Sequence, residues 1–234
     1  MSYPYQKNTI INGTNIEITI RSEADASVFY EIFENKEYSL LDEIIKKTKR
    51  PIIDIGAHTG MFSIYASSFN QKVPILAYEP SPDNFETLKK NYLRNKITNI
   101  FPKNLAVSSE NGQKVLFLKE DSHNHSLVFD EDTNKEQKVF STDLKSILLK
   151  MKSVFDYEES DLLKLDAEGI EYDILKKTDA NIIKKFKNIY LEYHELNEEN
   201  NSEELKIILE KLGFKVSKTT SKYDSRFGFI FARK

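Results

Sequence analysis

Asp54-Ile55-Gly56-Ala57-His58-Thr59-Gly60 follows the apolar run Pro51-Ile52-Ile53 and leads into Met61-Phe62-Ser63-Ile64-Tyr65-Ala66. A short apolar strand that enters a glycine turn and then a helix is the opening of a strand–helix–strand unit. From here onward the chain alternates between the two patterns. Strands are expected at 52–55, 74–78, 100–107, 162–166, 188–193, 215–219 and 227–232, and helices at 61–69, 82–95, 170–178 and 202–212. In the second helix Ser81 is the expected N-cap, Pro82 takes the first helical position, and Phe85, Leu88 and Tyr92 form the buried stripe. In the last, Leu205, Ile208, Leu209 and Leu212 do so, and Gly213 stops the helix. Such alternation implies an α/β fold, a doubly wound and mostly parallel sheet with helices on both faces. The last two strands are joined by too short a loop for a crossover, so they are expected to pair as an antiparallel hairpin.

Upstream, residues 9–20 read as a hairpin around Asn12-Gly13, with Ile16, Ile18 and Ile20 alternating with Glu17 and Thr19. Between 25 and 47, Val28, Phe29, Ile32, Phe33, Leu40, Leu41, Ile44 and Ile45 recur at helical spacing. Residues 1–48 are therefore expected to form a small cap of hairpin and helix beside a main domain at 49–234. Residues 119–138 are polar and turn-rich and read as a long exposed loop or flap.

Composition narrows the function classes. The 234 residues contain no cysteine, which excludes disulfides, thiolate metal sites and cysteine nucleophiles. Thirty-four basic against thirty-seven acidic residues give a net charge of −3, which argues against broad phosphate-driven binding of nucleic acid. The start, Met-Ser-Tyr-Pro-Tyr-Gln-Lys, has no apolar core of a secretory signal, and no stretch is apolar enough to span a membrane. A globular protein of the cytoplasm is the expectation.

The glycine turn also carries a ligand reading. A dinucleotide enzyme would have Gly-x-Gly-x-x-Gly to cradle a pyrophosphate, but His58 stands at the middle glycine position. The resulting Asp-x-Gly-x-x-x-Gly suits a ligand without phosphates, because Asp54 would repel a phosphate yet attract a cationic ammonium, directly or through water. A glycine turn can also serve packing alone. Glu79 ends the second strand 25 residues after Asp54, where an acidic side chain accepts hydrogen bonds from both hydroxyls of a ribose. Alone it would read as a solvated loop charge. With the glycine turn, the pair points to S-adenosylmethionine.

Four stretches now resemble the FkbM-type methyltransferases, over about residues 29–234. They are Asp54 to Gly60, Tyr78-Glu79-Pro80-Ser81-Pro82-Asp83-Asn84-Phe85, Asn104-Leu105-Ala106-Val107-Ser108, and Leu163-Lys164-Leu165-Asp166-Ala167-Glu168-Gly169-Ile170-Glu171. The last is similar to the family signature Lys-Ile-Asp-Val-Glu-Gly-x-Glu. The resemblance implies a Rossmann-like methyltransferase sheet and transfer of a methyl group from S-adenosylmethionine to a hydroxyl oxygen, typically of a sugar or another small metabolite. It also implies a cofactor site made of Asp54, Gly56, His58, Gly60, Glu79, Pro80, Ser81, Asn104, Ala106 and Asp166. Two departures stand out: His58 where the family has asparagine, and Thr142-Asp143-Leu144 in place of Thr-Leu-Asp before the next helix.

Ligands of doubly wound sheets lie outside the carboxyl ends of the strands, which brings residues 166–171 and 192–194 to one crevice. Strand alternation puts Glu192 on the face of His194, and Lys164 on that of Asp166. An alcohol acceptor needs a partner for the proton it loses. His194 has the intrinsic pKa best placed for this, with Glu168, Glu171 and Asp166 as the other candidates. A structural imidazole bonded to backbone is the competing reading for His194. Lys164 either orients carboxylates in the active site or neutralises a buried Asp166. Asp166, Glu192 and His194 also form a loose set of ligands for magnesium or manganese. His123 and His125, in the polar segment, are candidate lid residues or simply exposed.

Two alternatives differ in class. An N-methyltransferase acting on RNA or protein commonly has Asn/Asp-Pro-Pro-aromatic where this chain has Asp166-Ala167-Glu168-Gly169. A non-catalytic binder of S-adenosylmethionine would keep the glycine turn and lose the catalytic edge, whereas both are present here.

Overall fold

The computed structural model describes residues 2–118, 126–128, 135–197, 199–221, 224 and 226–234. The chain opens with strands β1 (Tyr5–Ile11) and β2 (Thr14–Ile20), joined through Asn12 and Gly13. Both turn residues have positive φ (48° and 77°), as a type I′ hairpin turn requires. Helix α1 (Glu23–Phe29) runs into a π-helical turn at Tyr30–Glu34, and a 3-10 turn at Ser39–Leu41 precedes α2 (Asp42–Lys47). Ser22 caps α1 through its side chain.

The main sheet then builds by alternation: β3 (Ile52–Ile55), α3 (Met61–Phe69), β4 (Ile75–Tyr78), α4 (Pro82–Arg94) and β5 (Ile100–Lys103). A side excursion follows, with β6 (Ala106–Val107), β7 (Gly112–Leu118), β8 (Lys135–Thr142) and α5 (Leu144–Phe155). The chain returns through β9 (Ser160–Leu165), α6 (Glu171–Lys177), α7 (Ala180–Ile183), β10 (Phe186–His194), α8 (Ser202–Lys211), β11 (Lys215–Thr220) and β12 (Phe227–Arg233). The seven strands are ordered β11-β12-β10-β9-β3-β4-β5. All neighbours from β10 to β5 are parallel, while β12 runs antiparallel to both β10 and β11. This is the expected doubly wound sheet with its antiparallel end. Its topology reverses between β9, β3 and β4, which opens a crevice at their carboxyl ends.

Period-two alternation sorts the strand side chains onto two faces. Ile52, Ile75, Ala77 and Leu162 join one apolar cluster with α3, the N-terminal hairpin and α1. Ile53, Ile55, Leu76, Tyr78, Leu163 and Leu165 join the other, with α5, α6 and α8. The cap therefore shares a core with the sheet.

Several local expectations need correction. Residues 100–107 are not one strand: the ladder of the main sheet ends at Lys103, and β6 belongs to a separate three-stranded sheet, β6-β8-β7. The break lies at Asn104, whose amide donates to the carbonyls of Glu79 and Pro80. In the segment 119–138 the last four residues already belong to β8, and His123 and His125 lie outside the described residues. Ser81 is the N-cap of α4 by position, but its hydroxyl makes no capping bond. The most buried face of α4 is also more polar than expected, with Asn84, Thr87 and Asn91 beside Leu88, while Phe85 and Tyr92 are only half-buried. Asn84 and Asn91 hold the site loop and the cap, while the Thr87 hydroxyl donates back to the Asp83 carbonyl.

Candidate active site

The loop after β3 is shaped by close packing. Gly56 has φ of 72°, and a Cβ there would stand 1.7 Å from the carbonyl oxygen of Asp166. Gly60 has φ of 84°, and a Cβ there would meet Leu88 Cγ at 2.8 Å. Both glycines let the loop lie against the end of β9 and against α4. The Tyr78 carbonyl accepts from the N–H groups of Gly56 and Ala57, and the Asn91 amide donates to the Thr59 carbonyl.

Beneath the loop lies a buried charge cluster. The Lys164 ammonium stands 3.4 Å from Asp54 Oδ1 and 3.2 Å from Asp166 Oδ2, and donates to the carbonyls of Ile55 and Gly56. Burial alone would lower the Lys164 pKa, but Asp166 and Asp54 outweigh it and hold the ammonium well above its usual range. Asp54 is fully buried and accepts from the Ser63 hydroxyl of α3 at 2.6 Å. Burial drives its carboxyl upward, opposed by Lys164 and Ser63.

Glu79 closes β4 with its carboxylate fixed from both sides. His58 N–H donates to Oε2 at 2.8 Å, Ser81 N–H to Oε1 at 2.9 Å, and the Asn84 amide approaches Oε1 at 3.4 Å. Burial pushes its pKa up to about 7 against the pull of the Ser81 and His58 N–H groups. His58 itself adopts φ of 50° and places Nε2 3.5 Å from Asp25 Oδ1 of the cap. Asp25 is fully buried and paired with Arg21, which holds its carboxyl below the usual range despite burial.

The opposite end of the crevice is acidic. Asp166 and Glu168 follow β9, and His194 ends β10. His194 Nε2 is 3.4 Å from Glu168 Oε2, and Nδ1 is 3.6 Å from Oε1 of the fully buried Glu171. Burial would lower the His194 pKa, but Glu171, Glu168 and Glu192 together carry it up to about 10. Glu192 is raised by burial and by Asp166, and Glu37, from the cap, is pushed up to about 7 by burial and by Glu31 and Asp166.

The crevice holds about 940 Å³. Of the expected cofactor residues, Gly56, His58, Glu79, Pro80, Ala106 and Asp166 line it. Asp54, Gly60, Ser81 and Asn104 do not: Asp54 and Ser81 are buried outside its lining, Gly60 packs on Leu88, and the exposed Asn104 is tied to the carbonyls of Glu79 and Pro80. Asp54 is thus no direct partner for a ligand ammonium, because its side chain turns under α3 to Ser63 and Lys164. Of the expected catalytic residues, Lys164, Asp166, Glu168 and His194 line the crevice, and Glu171 lies behind His194. The most buried carboxylate beside Lys164 is Asp54, not Asp166. His194 is held as a cation at neutral pH, which removes its advantage as a base. The compact set of ligand atoms is Asp166, Glu168 and His194, with Glu192 outside it. Glu31, Glu37 and Tyr38 of the cap and Phe227 and Phe229 of β12 also line the crevice. They carry no motif, and only their alternation or helical spacing marks them.

Known proteins share both the fold and the sequence pattern. A profile of the Methyltransferase FkbM domain matches residues 54–216. Methyltransferase sdnD of Sordaria araneosa is 26% identical, with 96% of each chain covered. Among solved structures, the methyltransferase FkbM of Methylobacillus flagellatus KT superposes with a TM-score of 0.53 at 14% identity, over 80% of this chain and 44% of its own. Aeropyrum pernix fibrillarin, solved with natively bound S-adenosyl-L-methionine, gives 0.53 at 13% identity over 99% and 84%. The Rossmann-like sheet with its crevice at the topological switch, taken with the family profile and the curated relative, marks an S-adenosylmethionine-dependent methyltransferase. The chain belongs to the FkbM methyltransferase family. The donor set fits that cofactor: Glu79 offers an oriented carboxylate to a ribose diol, and the carboxylates deeper in the crevice suit a cationic ligand. Among the described residues, no helix is long and apolar enough to cross a membrane.

Proposed function

We propose that the protein methylates a hydroxyl oxygen of a small hydroxylated acceptor, with sugars the first class to test. S-adenosylmethionine, when bound, would supply an electrophilic methyl group to the acceptor oxygen, with S-adenosylhomocysteine as the leaving product. In this reading Glu79 receives the ribose hydroxyls, Gly56 and His58 flank the nucleoside with Pro80 and Ala106, and Gly60, Ser81 and Asn104 brace them from behind. Lys164 orients Asp166, and Asp54 secures Lys164.

One arrangement carries the reading: the half-buried carboxylates of Glu192 and Glu37 face the same crevice as Asp166, and burial together with that neighbour pushes both upward. A carboxylate of raised pKa is a better acceptor for a hydroxyl proton near neutral pH. Glu192 takes this role here, beside Asp166. His194, held as a cation, positions Glu168. A crevice of this size suits a small molecule beside the cofactor.

The acidity of the same wall favours one second reading, a cationic amine acceptor. Labelled methyl transfer into paired panels of hydroxylated and amine metabolites separates them. Methyl ethers among the products are expected; label confined to amines would overturn the hydroxyl reading.

A further inference from the structure

We propose that Asp166, Glu168 and His194 form a site for one divalent cation of the manganese or magnesium type, with Glu171 holding the imidazole in position from behind. One ligand atom from each of the three lies within 4.8 Å of the others. An octahedral ion with bonds of about 2.1 Å sets adjacent ligands about 3.0 Å and opposite ones about 4.2 Å apart. The 3.4 Å between His194 Nε2 and Glu168 Oε2 is already near the adjacent spacing. The Lys164 ammonium approaches Asp166 through Oδ2, so the pair engages one carboxylate oxygen and not both. Asp166 and Glu168 are both partly open to the crevice, which provides an entry path.

The second observation lies on the other side of the ring. Glu171 is fully buried; its Oε1 accepts from the Ala167 N–H at 2.8 Å and faces His194 Nδ1 at 3.6 Å. Its Oε2 is buried with no hydrogen-bond partner among the described residues. A carboxylate behind a histidine holds the proton on Nδ1, so a cation that displaces the Nε2 proton meets a lone pair on the crevice side, as in metal sites where a carboxylate orients the liganding imidazole. A buried carboxylate with a bare oxygen is otherwise costly, so the arrangement asks for a reason. Two hard oxygen ligands and one imidazole suit manganese and magnesium better than softer ions. A cation here would polarise an acceptor hydroxyl. That consequence rests on the proposed hydroxyl acceptor; the cation site itself does not.

The test is a titration of the chelator-treated full-length protein with Mn²⁺, following free Mn²⁺ by its electron paramagnetic resonance signal. One site per chain is expected. Glu168→Gln and His194→Gln should each weaken it at least about tenfold, and Glu171→Gln by about ten- to a hundredfold. Glu203→Gln, on the exposed side of α8, should leave it unchanged. S-adenosylhomocysteine binding and the melting temperature, read on the same samples, report whether each variant folds. Glu168→Gln, on a partly exposed loop, keeps the test open should His194→Gln fail to fold. Absence of saturable binding at millimolar Mn²⁺, or binding indifferent to Glu168→Gln, overturns the proposal. Because no acceptor enters the titration, one Mn²⁺ per chain in an enzyme that methylates only amines would support the site and refute the hydroxyl reading.

Discussion

Replacing Lys164 by Met should destabilise the protein in a pH-dependent way. Lys164 is 3% exposed, so the variant removes two ion pairs and two hydrogen bonds to carbonyls from a buried position. Met keeps most of the volume, which makes any cavity contribution small. What remains is Asp54, fully buried, with the Ser63 hydroxyl as its one hydrogen-bond partner among the described residues. Breaking a buried pair from one side costs about 3–5 kcal/mol. At about 2–4 °C per kcal/mol for a chain of this length, the melting temperature should fall by roughly 6–20 °C. Asp54 can relieve the loss by taking a proton, since burial already raises its carboxyl. A group whose folded pKa lies above its unfolded value contributes stability that is fully present below the unfolded pKa, about 3.9 for Asp, and lost as pH rises through the folded one. The deficit of Lys164→Met relative to wild type should therefore be smaller at pH 5 than at pH 8. Adding Asp54→Asn removes the stranded charge and should recover about 0.5–3 kcal/mol. Thermal and urea melts of wild type, Lys164→Met, Asp54→Asn and the double variant at both pH values measure all of this. A variant melting within about 2 °C of wild type at pH 8, or a double variant no more stable than Lys164→Met, refutes the reasoning.

Glu79→Gln should weaken S-adenosylhomocysteine binding about tenfold or more by calorimetry, and wild-type affinity should decline as pH falls through about 7, where Glu79 takes a proton. The same raised pKa means its contribution to stability, fully present below the unfolded value, is lost as pH rises through about 7. Gly56→Ala must displace the Asp166 carbonyl and should lose more than about 3 kcal/mol, whereas Gly213→Ala, with nothing within 4 Å and φ of 92°, should lose only about 1 kcal/mol; equal losses in denaturant melts would contradict this. Arg21→Ala strands the fully buried Asp25 and should both lower stability by about 3–5 kcal/mol and weaken S-adenosylhomocysteine binding, although Arg21 does not line the crevice. An Arg21→Ala protein with wild-type melting would argue against it.

The parallel strands were legible because each is a short apolar run bounded by turns, and burial on both faces leaves little room for polar residues. The small second sheet was not, because β7 and β8 mix lysine, glutamine and glutamate with only Leu116 of β7 and Val139 and Ser141 of β8 buried. Helix α5 was within reach: Leu144, Ile147, Leu148 and Met151 recur at helical spacing behind the cap Asp143, whose side chain accepts from Ser146 N–H. The rule that ligands gather at the carboxyl ends of strands brought Asp166, Glu168 and His194 to the crevice they line, and the ribose argument did so for Glu79. The glycine-turn reading set Asp54 against the ligand, whereas its side chain lies beneath the loop. Strand alternation puts Asp54 on the same face as Ile52, the α3 side, so its carboxylate turns toward Ser63 and away from the opening.

The contribution of the cap was hidden for a different reason. Arg21 clasps Asp25 and also donates to the Asn84 side chain at 2.9 Å; Asn84 reaches Glu79, and Glu79 accepts from the His58 N–H. His58 Nε2 then returns to Asp25. The ring closes through residues 21, 25, 58, 79 and 84; His58 and Glu79 stand out in the sequence, whereas Arg21, Asp25 and Asn84 read as ordinary surface charges and a helix amide. No spacing rule joins them, because their pairing depends on the hairpin packing against α4, where Asn91 and Asn95 accept from the Thr19 and Glu17 N–H groups. Polar residues on the buried side of an amphipathic helix lower its apparent periodicity, so the feature that docks the cap also hides the docking face. His58 differs from the asparagine its resemblance implies, and in this chain its partner Asp25 comes from the cap. The carboxylate expected to meet the ribose is therefore set from two sides, by the glycine loop and by a segment that precedes the sheet.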